Sequence, residues 1–422
     1  MRCALVTFGC KVNQYDTQVL RERLAALEYR EVPAAEAAEL YIVNTCAVTA
    51  ESERKARRRV RHFLRANPSA RVLVVGCAVR RDRSQWSKSE RVTAVETISD
   101  ALAFIGDAPD VHVDGITSFS GHTRAFLKVQ EGCEALCSYC IVPAVRGPCR
   151  SRPLKNVLDE ARRLVAAGHR EIVVTGTHVG LYGRDLEDKL SLVNLLEALD
   201  TLPGLGRFRL SSIEVGEIGD DLLQFARSSR CFCPHFHVPL QSGDDDVLLR
   251  MRRQYNAAGF LHAVDRIRQR LDRPAITTDV MVGFPGETAR AFENTRRVCQ
   301  SAAFSRLHVF PYSARPGTPA ATFTDTVPPQ VIQERGESLL ALARTLAMQF
   351  KSQFIGKAVR VLVEAQRDRT SGLPAGYCDR YMRCLMQGPD EWMNHLVEAR
   401  AVHATPEHLV VQPAARCLCA GD

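Results

Sequence analysis

The chain has 422 residues, a length that predicts roughly two to four domains and most simply three. Hydrophobic residues make up 45% of it and charged residues 25%, a composition that excludes a disordered or low-complexity protein. The net charge of +8 permits a polyanionic partner without requiring one. No apolar run approaches the ~20 residues that cross a bilayer, and the amino terminus lacks the apolar segment of a signal peptide. We therefore expect a cytoplasmic protein with no membrane partner.

Residues 1–118 have the pattern of an amino-terminal open parallel α/β domain. Short buried strands are predicted at residues 3–8, 40–44 and 71–75, and helical patterns separate them. Strands that alternate with helices favour a parallel sheet. We predict that Asp16 caps the amino terminus of the helix after the first strand.

Each of these three strands is followed within two residues by a cysteine, namely Cys10, Cys46 and Cys77. The carboxyl ends of parallel strands share one edge of the sheet, so the three thiols are expected to converge there. The alternative is three buried structural cysteines, because free cysteine is among the most buried residue types. Fifteen cysteines in a chain without an export signal favour a reducing compartment, where grouped cysteines bind metal or perform redox chemistry.

Residues 119–350 repeat strand and helix, and they predict a partial (βα)6 barrel with its active site at the carboxyl ends of the strands. The six predicted strands cover residues 126–130, 171–175, 208–213, 236–240, 276–282 and 307–312. Residues 351–413 alternate short strands with turns and predict a small β-barrel. Residues 414–422, which contain Cys417 and Cys419, read as a tail.

The most informative string is EGCEALCSYC, which places Cys133, Cys137 and Cys140 on the loop after the first barrel strand. A structural zinc site usually has four ligands, commonly in two Cys-x-x-Cys pairs. Here there are three thiols, with Cys149 as the only close additional one. Three thiolates on a four-iron cube leave one iron open for a substrate or cofactor.

This spacing resembles the radical S-adenosylmethionine (SAM) superfamily. The resemblance implies that Cys133, Cys137 and Cys140 bind the catalytic cluster and that its open iron chelates SAM. An electron from the cluster then cleaves SAM to methionine and a 5′-deoxyadenosyl radical. Tyr139 is implied to lie against the adenine. A structural zinc site remains the alternative.

Further strings resemble the methylthiotransferase family along nearly the whole chain. They cover residues 7–16, 44–49, 75–77, 175–183, 211–218, 237–243, 282–287 and 308–313. The last predicted barrel is similar to the family's TRAM domain, which binds RNA. The resemblance implies a second four-iron cluster on Cys10, Cys46 and Cys77, which holds the sulfur to be transferred. The nine other cysteines match no ligand motif.

The resemblance also implies a set of SAM contacts at the ends of the barrel strands. These are Thr175 and Gly176, then Ser211, Ser212 and Glu214, then Gln241 and Ser242, and finally Val282 and Gly283. The alternative is that the small residues among them shape turns. We interpret His178 as part of the loop structure rather than as a base.

Variants at residues 11–16 and 44–49 resemble the family branch that acts on N6-threonylcarbamoyladenosine in tRNA. This resemblance implies insertion of a methylthio group at carbon 2 of that nucleoside at tRNA position 37. The implied partners are the anticodon stem-loop, an external electron donor and a sulfur donor. The alternatives are the same chemistry on isopentenyladenosine or on a ribosomal-protein aspartate. From another class, a zinc-containing, non-catalytic RNA-binding protein is the remaining possibility.

Basic residues give partial support for an RNA partner. They crowd the helix after Cys46 and the segment after the cysteine loop: Arg54, Lys55, Arg57, Arg58, Arg59, Arg61, Arg146, Arg150 and Arg152. Phosphate contacts of this kind position an RNA without specifying it, and the alternative is a solvated basic face. Residues 351–413 hold eight basic and seven acidic residues, so stacking on Tyr377, Tyr381 or Trp392 would have to contribute.

Overall fold

The amino-terminal sheet has five parallel strands, and across the sheet the second strand of the chain comes first, followed by the first, third, fourth and fifth. The computed structural model describes residues 1–106 and 114–414. The strands of this sheet are β1 (Arg2–Thr7), β2 (Arg30–Glu31), β3 (Leu40–Thr45), β4 (Arg71–Gly76) and β5 (Val92–Ala94). Its helices are α1 (Lys11–Ala26), α2 (Ala50–Ala66), α3 (Cys77–Arg81) and α4 (Ile98–Ile105).

This sheet is open, and an apolar core lies on each of its two faces. The central strand β3 is buried over its whole length, because helices cover both sides of the sheet. Apolar side chains of α2 pack on one face, where Phe63 stacks on Tyr41 with ring centroids 4.0 Å apart. Leu20 and Leu24 of α1 pack on the other face. The predicted open parallel α/β arrangement is confirmed.

The central part of the chain carries six parallel strands in sequence order. They are β6 (Ala125–Lys128), β9 (Glu171–Thr175), β10 (Arg207–Leu210), β11 (His235–His237), β12 (Ala275–Val282) and β13 (Arg306–Pro311), and a short hairpin of β7 (Gln130–Glu131) and β8 (Arg150–Ser151) follows β6. Its helices are α5 (Val142–Arg146), α6 (Leu154–Ala166), α7 (Leu192–Asp200), α8 (Asp220–Ser228), α9 (Asp245–Arg250), α10 (Ala257–Arg270), α11 (Ala289–Ala302) and α12 (Pro329–Ser352).

These six strands form the predicted partial barrel. Strands β6, β9 and β10 make one parallel half, and β11, β12 and β13 make the other. Parallel bridges between Phe208 and Phe232 and between Ser212 and His237 join the halves. Strands β6 and β13 are the two open edges, and α1 lies against β6 while α12 lies against β13. Helix α1 of the amino-terminal domain therefore borders one open edge of the partial barrel.

The five carboxy-terminal strands close into a small barrel, in which the last strand of the chain lies between the third and the fourth of the five. They are β14 (Ala358–Val363), β15 (Ala375–Cys378), β16 (Arg383–Leu385), β17 (Leu396–Ala404) and β18 (Leu409–Pro413). Alternate residues of β14 and β17 face an apolar interior, which gives the period-two pattern seen in the sequence. The barrel packs against β10, where Arg207 donates to the carbonyl oxygens of Arg360 and Tyr377 at 2.7 and 2.8 Å.

One predicted feature is wrong. Asp16 does not cap α1, which begins at Lys11 with Cys10 at the cap position. Asp16 instead lies in the second turn of the helix, is 5% exposed, and pairs with Lys128 at 2.6 Å and with Arg146 at 3.2 Å. The predicted tail, with Cys417 and Cys419, lies outside the described residues except for residue 414. Within residues 1–106 and 114–414, no helix is both long and apolar enough to cross a membrane.

Candidate active site

The first group of thiols lies at one edge of the amino-terminal sheet. Cys46 and Cys77 directly follow β3 and β4, and Cys10 lies three residues after β1; as predicted from the strand pattern, the structure brings the three together. The approach is close enough that a β-carbon added to Gly9 would lie 2.8 Å from the Cys46 sulfur. Gly9 has a φ of +105°, so a glycine is required there for both reasons.

Burial raises the pKa of two of these thiols. The pKa of Cys46 rises to about 11 and that of Cys77 also rises, mainly because both are taken out of water, and the neighbouring thiols add to the effect. A soft metal centre removes this penalty, because it binds the thiolate directly. The Nε of Arg146 donates to the Cys77 sulfur at 3.2 Å. The Cys46 sulfur accepts from the backbone N–H of Val48 at 3.4 Å.

The second group of thiols lies on the loop between β7 and α5. The loop turns at Gly132, whose φ is +83° and where a side-chain carbon would overlap the carbonyl oxygen of Pro148. The N–H of Cys133 donates to the carbonyl oxygen of Gly147 at 3.0 Å, and that of Ser138 donates to the carbonyl oxygen of Met251 at 3.0 Å. The loop is thus fixed from both sides, and Cys133, Cys137 and Cys140 face one another.

Charged or ionisable side chains contact two thiols of this loop. Arg253 donates to the Cys137 sulfur at 3.3 Å and also pairs with Glu214. His178 Nδ1 lies 3.4 Å from the Cys133 sulfur, and its Nε2 lies 2.6 Å from Glu217.

Burial by itself lowers the pKa of His178, but its bonds to Cys133 and Glu217 outweigh burial and raise the pKa to about 10. His178 therefore contacts a thiol. The sequence analysis interpreted this residue as part of the loop structure and did not predict the contact.

The third thiol of the loop, Cys140, is half-buried, as Cys133 and Cys137 are. Burial raises its pKa to about 12, and the nearby Cys137 and Cys133 add to this. In the described ranges, no three or more His, Cys, Asp or Glu side chains are arranged to hold a single metal ion. A four-iron cube binds each thiolate through a different iron and so accepts three thiols that share no single ion. The donor chemistry of both groups fits iron–sulfur clusters.

A cavity of about 340 Å³ is bordered by chain segments from both thiol-bearing regions. Val48 and Thr49, which follow Cys46, line one side of it, and Tyr139 and Cys140 line another. Gln241 also lines it, and its Oε1 is buried without a hydrogen-bond partner among the described residues. Of the six thiols, Cys140 lines this space, and the residues two and three positions after Cys46 line it too.

A larger cavity of about 590 Å³ occupies the interior of the partial barrel, and the carboxy-terminal barrel closes part of it. Ser211 and Ser212 line this cavity, and the Oγ of Ser211 is buried without a partner among the described residues. Asp279 borders both cavities, so the two spaces adjoin.

The other six predicted SAM contacts, Glu214 among them, line neither cavity. Thr175, Gly176, Ser242, Val282 and Gly283 are packed at the strand ends. The N–H of Gly283 donates to Glu287 at 2.8 Å, and a β-carbon added to Gly176 would crowd Gln130. Turn geometry accounts for these two glycines.

Arg146 connects the region of Cys77 with the start of the cysteine loop, whereas the sequence analysis predicted only a general role for it in binding phosphate. Besides Cys77, its guanidinium pairs with Asp16 at 3.2 Å and with Glu131 at 2.8 Å, and it contacts Asn13. Burial by itself raises the pKa of Glu131, but the charges of Lys128 and Arg146 outweigh burial and hold this pKa at about 2. Glu131 begins the cysteine loop, so one buried cation bridges the amino-terminal sheet and that loop.

The predicted basic helix is α2, and most of its cations are exposed: Arg54, Lys55, Arg58, Arg59 and Arg61. Arg57 instead pairs with the buried Glu53 at 2.9 Å. The rings of Tyr377 and Tyr381 are covered by Arg124, whose guanidinium lies 4.7 and 5.6 Å from them. Arg124 thus occupies a face of each ring where the two barrels meet, and both rings also line the larger cavity. Trp392 is half-buried and remains a predicted RNA contact.

Comparisons with known proteins agree with this geometry. Residues 2–96 match the uncharacterized protein family UPF0004, and residues 127–299 match the radical SAM superfamily. A Chlamydia pneumoniae protein named threonylcarbamoyladenosine tRNA methylthiotransferase MtaB is 40% identical over 85% of this chain and 86% of its own length. The chain belongs to the radical SAM methylthiotransferases. Members of this family are enzymes that transfer a methylthio group, with SAM and two 4Fe–4S clusters as cofactors.

Other relatives define the range of the family. A Bacillus subtilis protein with the same MtaB name is 35% identical over 95% of this chain and 94% of its own length. A Clavibacter michiganensis protein named tRNA-2-methylthio-N(6)-dimethylallyladenosine synthase is 33% identical over 87% of this chain and 73% of its own length. Both names describe methylthiotransferases that act on adenosines of tRNA, so the chain is grouped with tRNA-modifying enzymes.

The fold is also similar to a solved radical SAM methyltransferase, TsrM from Kitasatospora setae. The TM-score is 0.55 at 15% identity, over 76% of this chain and 77% of that one. This likeness shows a similar fold over about three quarters of each chain.

Proposed function

We propose that the enzyme inserts a methylthio group at carbon 2 of N6-threonylcarbamoyladenosine at position 37 of tRNA. The observation that carries the chemistry is the cavity shared by Cys140 and the segment after Cys46, because a transferred sulfur and a radical have to meet at one substrate carbon. The nucleoside is supported by the MtaB-named relatives, at 35–40% identity, and by the variants at residues 11–16 and 44–49.

In this proposal each thiol group holds one cluster. Cys133, Cys137 and Cys140 would bind the cluster that works with SAM. Cys10, Cys46 and Cys77 would bind the auxiliary cluster. When bound, the two clusters and SAM supply the radical, the methyl group and the sulfur.

The protein's own contribution is to position these groups and to exclude water from the space between them. Tyr139 and Gln241 line that space beside Cys140, and we assign them to the SAM site. Glu214 enters the site through its ion pair with Arg253, which contacts Cys137. Ser211 and Ser212 face the adjoining larger cavity.

We assign the parts of the chain as follows. Residues 1–118 carry the auxiliary cluster, residues 119–350 form the radical SAM core, residues 351–413 form an RNA-binding TRAM barrel, and residues 414–422 are a tail. The substrate is the anticodon stem-loop, and the reaction takes an electron donor and a sulfur donor from outside the chain. We place the reaction in the cytoplasm because tRNA is found there.

Dimethylallyladenosine, which is the isopentenyladenosine of the sequence analysis, is the second candidate substrate. Relatives named for its methylthio product are also 33% identical over most of the chain. The test is an anaerobic assay of the iron-replete protein with SAM, a reductant and sulfide. Two anticodon stem-loops are offered, one with N6-threonylcarbamoyladenosine and one with isopentenyladenosine, and the nucleosides are measured by mass spectrometry. The proposal predicts methylthiolation of the first, and conversion of the second alone would contradict it.

A further inference from the structure

The larger cavity is strongly cationic. Its lining holds six basic side chains and a single carboxylate, that of Asp279. The basic residues are Lys11, Arg209, Arg306, Lys351, Arg380 and Arg383. An enclosed space with this imbalance attracts an anion, because low-dielectric walls strengthen the field of the charges that line it.

Four of these cations are already engaged. Arg209 pairs with Glu171 at 2.7 Å, and Lys351 donates to the carbonyl oxygen of Pro406 at 2.7 Å. Arg380 and Arg383 pair with Asp379 and Asp368.

The side chains of Lys11 and Arg306 have no hydrogen bond or ion pair within residues 1–106 and 114–414. Of the two, Lys11 is half-buried, whereas Arg306 is exposed.

Lys11 is well placed to act inside the barrel. It directly follows Cys10, at the start of the helix that borders the open edge of the barrel. Lys11 lines the cavity together with His235, Asp279 and His308, which stand on β11, β12 and β13. The side chain therefore extends from the amino-terminal sheet into the space enclosed by three barrel strands.

Two buried polar atoms in the same cavity also lack partners. His235 is 4% exposed and its Nδ1 makes no hydrogen bond with the described residues. Ser211 is 8% exposed and its Oγ is likewise unpaired. Unpaired buried polar atoms are costly, so their survival in a cavity wall indicates a polar occupant.

We infer that this cavity receives the threonylcarbamoyl arm of the modified adenosine and that Lys11 pairs with its carboxylate. The inference rests on the proposed function. Carbon 2 and the carbon that bears N6 both neighbour ring nitrogen N1, so the arm has to fit a space adjoining the one between the clusters. Asp279 lines both spaces and marks that junction. His235 and Ser211 supply partners for the polar groups of the arm.

The test uses the iron-replete enzyme and two stem-loops that differ in one group. One carries N6-threonylcarbamoyladenosine and the other its neutral methyl ester. We expect wild-type kcat/KM to favour the acid by about 10- to 100-fold, the range for a hydrogen bond to a charged group. In Lys11→Met this preference falls to near unity, and in Lys11→Arg it is partly restored. Fluorescence anisotropy of the labelled stem-loops without SAM should show the same loss of preference in binding.

Arg306→Met is the matched control, because it removes a cation from the same cavity at an exposed position. It should weaken both substrates equally and keep the preference. Equal use of acid and ester by the wild type would overturn the inference, whatever happens in the variants. Conversion of only the isopentenyladenosine stem-loop would instead overturn the proposed function, so the two failures are distinguishable.

Discussion

Arg146 is the residue that couples the two halves of the candidate site. Its Nε donates to the Cys77 sulfur at 3.2 Å, while its other nitrogens pair with Asp16 and Glu131. Hydrogen bonds to cluster sulfurs raise the reduction potential of iron–sulfur centres. We predict that Arg146→Leu lowers the potential of the auxiliary cluster and slows methylthio transfer by about 10- to 100-fold. An anaerobic redox titration followed by electron paramagnetic resonance measures this shift.

The matched control for Arg146 is Arg80→Leu. Arg80 approaches the same carboxylate, Glu131, at 3.8 Å. Its guanidinium donates to the carbonyl oxygens of Glu96 and Val145 rather than to a thiol. The auxiliary potential should therefore stay at its wild-type value in Arg80→Leu. An unchanged potential in iron-replete Arg146→Leu would show that the contact with Cys77 has no electronic effect.

Gly132 controls the shape of the cysteine loop. Its φ of +83° disfavours other residues, and a side-chain carbon would overlap the carbonyl oxygen of Pro148. We predict that Gly132→Ala loses the loop cluster, so that iron falls by about four atoms per chain and SAM cleavage stops. Gly147→Ala is the control, because its φ is +71° but nothing lies within 4 Å of an added carbon. Full iron content in Gly132→Ala would disprove this reading of the loop.

At the scale of elements, the contact between the two barrels depends on one buried carboxylate. Glu171 of β9 is fully buried and accepts from Arg207 at 2.6 Å and from Arg209 at 2.7 Å. Arg209 also reaches the carbonyl oxygen of Cys378 in β15, at 3.3 Å. Removing Glu171 leaves two buried cations without a counter-charge, and breaking such a pair costs about 3–5 kcal/mol.

We predict that Glu171→Gln lowers the free energy of unfolding by about that amount at pH 7. Burial by itself raises the pKa of Glu171, but the two arginines outweigh burial and hold this pKa well below its usual range. The contribution of Glu171 to the free energy of unfolding is therefore present at neutral pH. The contribution declines as the pH falls below about 4, where the unfolded chain takes up a proton. Urea unfolding followed by tryptophan fluorescence should show the difference from wild type narrowing with acid.

The exposed pair of Glu407 and Arg344 provides the control for that prediction. Their side chains are 56% and 72% exposed, and exposed pairs contribute about 0–1 kcal/mol. Glu407→Gln should therefore unfold like the wild type at every pH. A loss of stability in Glu171→Gln no larger than in Glu407→Gln would show that the buried cluster does not hold the barrels together.

The elements themselves could be predicted from the sequence because buried parallel strands are continuous apolar runs. The strand-end positions of Cys10, Cys46 and Cys77 followed from the same pattern. The role of Asp16 could not be predicted, because its partners Lys128 and Arg146 are more than a hundred residues away in the chain.

The docking of the small barrel also left no sequence signal. Arg207 and Arg209 bind backbone carbonyl oxygens there, and every residue has one of these. Lys11 is a similar case, since only the closed cavity shows that its charge lacks a partner.

At the scale of the whole molecule, three parts of the chain enclose connected space. The amino-terminal sheet and the cysteine loop border the smaller cavity, and the carboxy-terminal barrel helps to close the larger one. Separate parts of the chain thus contribute the two thiol groups, so the proposed division of labour can be tested one group at a time.

The most direct test of that division is anaerobic iron, zinc and sulfide analysis combined with Mössbauer spectroscopy and an assay of SAM cleavage. The account predicts about eight irons and no zinc in the wild type. The triple change of Cys10, Cys46 and Cys77 to Ala should keep about four irons and form 5′-deoxyadenosine without methylthio transfer. The triple change of Cys133, Cys137 and Cys140 should also keep about four irons but leave SAM intact. A single cluster in the wild type, or zinc in place of either cluster, would contradict the account.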